Sequence, residues 1–142
     1  MPFLLSSTYA SGLPDLVSVV AVTPFAEPKL LAYSADTAAL LQIPAAFFQQ
    51  DDAADYLSGK KLFDGSKPIA QKYAGHQFGQ YNPELGDGRG LLLGDVKGAD
   101  GKNYDLHLKG AGRTPYSRFG DGRAVLRLSL IHISEPTRLL SI

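Results

Sequence analysis

The clearest pattern in the chain is the alternation in "NYDLHLK", residues 103–109. Tyr104, Leu106 and Leu108 fall on one face, and Asp105, His107 and Lys109 on the other, as on a half-buried strand. Just before it, "GLLLGDV" (90–96) is a short apolar run of the kind a buried strand shows. Asp100-Gly101 lies between them as a two-residue hairpin signal. Residues 91–96 and 104–109 are therefore predicted to be an antiparallel pair. Upstream, the Val-rich "LVSVVAVTPF" (16–25) predicts an early strand stopped by Pro24. "SADTAALLQI" (34–43) predicts a helix with Ser34 as N-cap and Pro44 at its end. Residues 45–59 read as a second helix closing at Gly59. Residues 67–80 read as a third, with Pro68 in its first turn and Gly75 and Gly79 punctuating its end.

Length sets the scale: 142 residues make one small domain. At 44% hydrophobic and 20% charged the composition is that of a globular protein. Fourteen Lys and Arg balance fourteen Asp and Glu. Bulk charge thus gives no attraction for nucleic acid or anionic lipid, and any anion site must be local. The sequence has no cysteine, hence no disulfide, thiolate nucleophile or thiolate metal site. The N-terminus lacks the basic region and long apolar stretch of a secretory signal, and no apolar run is long enough for a membrane span. A soluble cytoplasmic protein is the expectation.

Candidate chemistry concentrates between residues 86 and 123. Gly86-Asp87-Gly88-Arg89-Gly90 runs straight into the apolar strand, and Gly-Asp-Gly-Arg returns at residues 120–123. Glycines let backbone amides approach phosphate oxygens, and an arginine in the loop adds a planar cationic fork. On composition alone a plain tight turn remains the alternative. Neither loop is a P-loop, and the dinucleotide fingerprint spacing is missing too. Lys109 ends the alternating strand beside Gly110-Ala111-Gly112. A strand lysine of this kind touches nucleotide phosphates in kinase-like sites. Asp121 either sits in a second anion loop or caps a helix beginning at "AVLR". His76, His107 and His132 show no metal-ligand spacing, and His76 reads as a structural residue hydrogen-bonded near Tyr73 and Phe78. Asp95, Asp100 and Asp105 lack calcium-loop spacing. Ser6, Ser7 and Ser117 have no visible base partner for a hydrolase triad.

"QKYAGHQFGQYNPELGDGRGLLLGDV" and "DLHLKGAGRTPYSRFGDGRAVLR" closely resemble the selenoprotein O-like family of protein adenylyltransferases, from about residue 16 to residue 127. The resemblance implies an α+β, protein-kinase-like fold, incomplete here: an N-terminal extension plus a small lobe of antiparallel strands. It implies transfer of AMP from ATP, bound in a flipped orientation, to Ser, Thr or Tyr hydroxyls of protein substrates with Mg²⁺. Some members transfer UMP with Mn²⁺. It places nucleotide contacts on Gly86, Gly88, Arg89, Lys109, Asp121 and Gly122, which suggests two loops and one lysine walling a single triphosphate. The alternative is a non-catalytic, pseudokinase-like nucleotide-binding module.

The end of the chain departs from the family. Residues 128–138, "LSLIHISEPTR", match the translation of a widely used transposon-type sequencing adapter. The expectation is a native domain over residues 1–127 and a non-native tail over 128–142. The resemblance puts the catalytic aspartate, the metal-binding Asn/Asp pair and two further phosphate-contacting arginines beyond residue 127. No catalytic residue or metal ligand is therefore assigned within the chain, and the fragment is expected to be inactive alone.

Overall fold

The apolar run is the central strand of the sheet. In the computed structural model, which describes residues 4–124, residues 91–96 are buried. The elements in chain order are α1 (Thr8–Gly12), a 3₁₀ turn (Pro14–Leu16), β1 (Val17–Val19), α2 (Ala35–Leu40), a 3₁₀ turn (Ala45–Gln49) and α3 (Ala53–Leu57). β2 (Ile69–Gln77), β3 (Gln80–Gly86), β4 (Gly90–Lys97) and β5 (Asn103–Lys109) follow. The fold is α+β. Its five strands form one sheet of order β1-β2-β4-β5, with β3 added alongside β2, and every named pair is antiparallel.

β4 and β5 pair as their patterns require, with Leu91 opposite Leu108 and Val96 opposite Tyr104. The connection is longer than the Asp100-Gly101 signal implies. Lys97 pairs with Asn103, and Gly101 takes the left-handed conformation (φ 80°). The Asp100 carboxylate accepts from Lys102 N at 3.1 Å and from the Tyr104 hydroxyl at 2.8 Å. The backbone-amide bond to Lys102 is the leading cause that holds the Asp100 carboxyl below its usual range. The same carboxylate raises the Tyr104 phenol.

Helix α2 with its C-cap, the second 3₁₀ turn and α3 pack Ala38, Leu41, Phe47 and Ala53 against Leu93 and Val96. Burying a side chain such as Phe47 contributes about 1.5–3 kcal/mol. Ser34 caps α2 as expected, accepting from Thr37 N. The helix ends before Pro44, because Gln42 adopts φ 58° and Ile43 N reaches back to Ala38 O at 2.8 Å, a Schellman closure with glutamine where glycine is usual.

Three predicted elements differ. Residues 67–80 are not a helix. They form β2 and the turn into β3, in which Phe78 and Gly79 both have positive φ (54° and 77°), as in the tight turns that join hairpin strands. The early strand covers Val17–Val19 only. Its partner β2 begins at Ile69, so Val20 N donates instead to Pro68 O. The helix over 45–59 is split into the 3₁₀ turn and α3, and left-handed Gly59 follows it. The tail over 128–142 and the expected helix at "AVLR" lie outside the described residues.

The N-terminal segment pairs with β4 beyond the point where β2 begins. Ser6 and Asp95 exchange backbone hydrogen bonds. The buried Asp95 carboxylate accepts from Thr8 N (2.9 Å) and Thr8 Oγ1 (3.0 Å).

Candidate functional site

Strand register brings the first glycine loop to the strand lysine. Gly90, at the start of β4, pairs with Lys109, at the end of β5, and Gly110 N donates to Arg89 O at 2.6 Å. A cleft of about 480 Å³ opens here. Gly86, Gly88, Arg89, Gly90 and Lys109 line it, together with Tyr73, Gln77, Tyr116, Ser117 and Arg118. Ion pairs among the described residues engage Lys60, Lys61, Lys72 and Lys102, and none involves Arg89 or Lys109. Arg89, Lys109 and Arg118 thus line the cleft outside these ion pairs, beside Asp87.

The loop itself is held firmly. Asp87 N donates to Gln71 O, and the Asp87 carboxylate accepts from Gln71 N, both at 3.0 Å. Gly86 and Gly88 have no room for a side chain. A Cβ at Gly86 would collide with the Tyr116 ring, and one at Gly88 would stand 2.9 Å from the Tyr116 carbonyl. Burial and then the Asp87 carboxylate push the Tyr73 phenol above its ordinary value, so Tyr73 presents a neutral hydroxyl.

The second loop joins the wall of the first cleft through Gly120 N, which donates to Ser117 O at 2.8 Å. Asp121 Oδ1 accepts from Arg123 N at 2.9 Å. Gly122 (φ 71°) packs so closely on Gly112 and Arg113 that a side chain is excluded. Neither Asp121 nor Gly122 lines the first cleft. Arg123 donates to Thr23 O and Gly110 O and stacks over Phe25 at 4.4 Å. It lines a neighbouring cleft of about 370 Å³ to which Lys109 also contributes. Lys109 therefore stands between the two loops, at the border of both clefts.

His76 is exposed on β2, its ring edge-on to Tyr81 at 5.6 Å rather than bonded near Tyr73 and Phe78. The residues that sequence reasoning missed are Thr114, Tyr116 and Ser117. Thr114 Oγ1 donates to Asp87 O (2.6 Å), Ser117 Oγ donates to Gly88 O (2.7 Å), and the Tyr116 and Ser18 hydroxyls share a bond of 3.1 Å. The available signal was "TPYS", a Ser/Thr turn with proline inside.

A glycine loop entering one strand and a lysine ending its neighbour thus meet at one cleft of an α+β domain. The chain belongs to the family described as protein adenylyltransferase SelO, whose model matches residues 4–135. It is similar to the protein nucleotidyltransferase YdiU of Ectopseudomonas mendocina (strain ymp), 55% identical over 107 residues, which cover 75% of this chain and 22% of that protein. The YdiU of Hahella chejuensis (strain KCTC 2396) is 54% identical over 124 residues, 87% of this chain and 25% of that protein. The YdiU of Pseudoalteromonas atlantica (strain T6c / ATCC BAA-1087) is 49% identical over 126 residues, 89% and 26%. The chain thus spans about a quarter of the length of these relatives.

Proposed function

We propose that this chain forms the phosphate-holding wall of a protein adenylyltransferase that uses ATP. The observation that carries this reading is the pairing of Gly90 with Lys109. It sets the Arg89 fork and the Lys109 ammonium beside glycines that no side chain can replace without a collision. In the reaction, a protein Ser, Thr or Tyr oxygen attacks the α-phosphorus of ATP and the bond to the bridging oxygen breaks. Pyrophosphate leaves with the electron pair, and the hydroxyl proton passes to base or solvent. Arg89 and Lys109 would neutralise charge gathering on the departing phosphates, the largest share of catalysis in such transfers.

In this reading Asp121 and Gly122 support the site indirectly, by fixing Arg123 and the Gly110–Gly112 turn behind Lys109. The Mg²⁺ or Mn²⁺ that the family resemblance implies finds no fit here. Among the described residues no group of three His, Asp or Glu could hold a metal ion, and Asp87 and Asp121 already accept from backbone amides. No step is therefore routed through a metal. Among the described residues, no helix is long and apolar enough to cross a membrane.

The binding test is titration of this chain with ATP, with Lys109→Ala as the comparison. Saturable binding that Lys109→Ala weakens at least tenfold supports the reading, and equal binding by both removes Lys109 from the site. In a full-length relative with matching residues, label should pass to protein from α-³²P-ATP but not from γ-³²P-ATP. Binding without transfer would favour the non-catalytic module, and transfer of UMP is read out with labelled UTP and Mn²⁺.

A further inference from the structure

The turn at residues 114–117 bonds two successive carbonyls of the glycine loop. Thr114 Oγ1 donates to Asp87 O and Ser117 Oγ to Gly88 O. The turn is itself locked, because Thr114 N donates to Ser117 Oγ at 2.8 Å and Ser117 N to Thr114 O at 3.1 Å. Tyr116 N also donates to Thr114 Oγ1 at 3.1 Å. Thr114 is buried, so its hydroxyl is not a solvent group that happens to lie near.

The described peptide bonds include no cis bond, and a planar trans peptide points its N–H opposite to its C=O. With the Asp87 and Gly88 carbonyls drawn onto the turn, the N–H groups of Gly88 and Arg89 both face away from it. Two neighbouring amides on one side of a loop form an anion-binding concavity. We propose that Thr114 and Ser117 are positioning residues, whose hydroxyls hold this amide pair toward a nucleotide phosphate. The proposal rests on the phosphate-binding reading of the cleft and adds to it what aims the loop.

The test is a titration of the ¹⁵N-labelled chain with ATP, and separately with tripolyphosphate, followed by amide shifts and by affinity. In the wild type the Gly88 and Arg89 amides should move on binding. Ser117→Ala should weaken ATP about three- to tenfold, the loss of one hydrogen bond, and diminish those two shifts. It should leave resonances remote from the loop in place, and Ser117→Thr, which keeps the hydroxyl, should restore binding. A folded Ser117→Ala variant that binds like wild type with the same two shifts would overturn the proposal and leave the cleft reading standing. Should that variant not fold, the wild-type titration decides: binding that leaves Gly88 and Arg89 unmoved overturns the proposal. Failure of the wild type to bind either probe would overturn the cleft reading, and this proposal with it.

Discussion

Gly90 faces Lys109 across the β4–β5 ladder, and the next rung is extended by the Gly110 amide bonding to the Arg89 carbonyl. A residue in a loop and a residue on a strand thereby acquire one fixed separation. The ladder rather than the loop sets where the two cations stand, and Lys109 can be changed without disturbing the ladder. Lys109→Ala should leave the melting temperature nearly unchanged, since the side chain is exposed and such substitutions shift stability by no more than about 0.5 kcal/mol. Thermal unfolding followed by circular dichroism checks this alongside the binding loss.

Glycines 86 and 122 should behave oppositely to Lys109. Gly86→Ala drives a methyl into the Tyr116 ring, and Gly122→Ala adds a left-handed φ of 71° to a clash with the Gly112 carbonyl. Each should cost about 1–3 kcal/mol in urea unfolding, with Gly122→Ala the worse because it adds the left-handed φ to a closer backbone clash than the Gln71 carbonyl makes at Gly86.

The β4 and β5 strands were legible because alternation and an apolar run are local signals. The first glycine loop and Lys109 stood out as runs of adjacent letters, and the strand register sets them side by side. The β2–β3 hairpin was not legible, since its turn places Phe78 at positive φ, where glycine or asparagine is the usual marker. Pro68 then read as a helix start, although it only precedes a strand. The anchoring role of Thr114 and Ser117 was hidden for a different reason. Their partners lie 27 and 29 residues away in sequence, and nothing in "TPYS" names them. The packing of Gly122 on Gly112 is likewise a tertiary fact.

Asp95 offers a test of the N-terminal pairing. Asp95→Ala leaves the Thr8 amide and hydroxyl without their carboxylate and should destabilise by about 1–3 kcal/mol. Asp95→Asn, which keeps one acceptor, should recover part of the loss. Hydrogen exchange at Ser6 and Thr8 would show whether the segment detaches before the sheet unfolds.

Acid stability should depend on Asp100. Its folded-state pKa is lowered, chiefly by the Lys102 amide. Its contribution is therefore fully present above the unfolded carboxylate value, about 3.9, and is lost as pH falls through the lower folded value. Asp100→Asn should flatten the fall of melting temperature across that window. The neutral Tyr104 phenol is favoured in the same hairpin. Its contribution is present below the unfolded tyrosine value, about 10, and fades as pH rises through the higher folded one. An acid limb identical in wild type and Asp100→Asn would remove this assignment.

The most direct measurement is a crystal structure of the chain with a non-hydrolysable ATP analogue. The account predicts phosphate oxygens against the Gly88 and Arg89 amides, with the Arg89 guanidinium and the Lys109 ammonium within hydrogen-bonding reach. A nucleotide seated with its phosphates away from residues 86–89 and from Lys109 would contradict it.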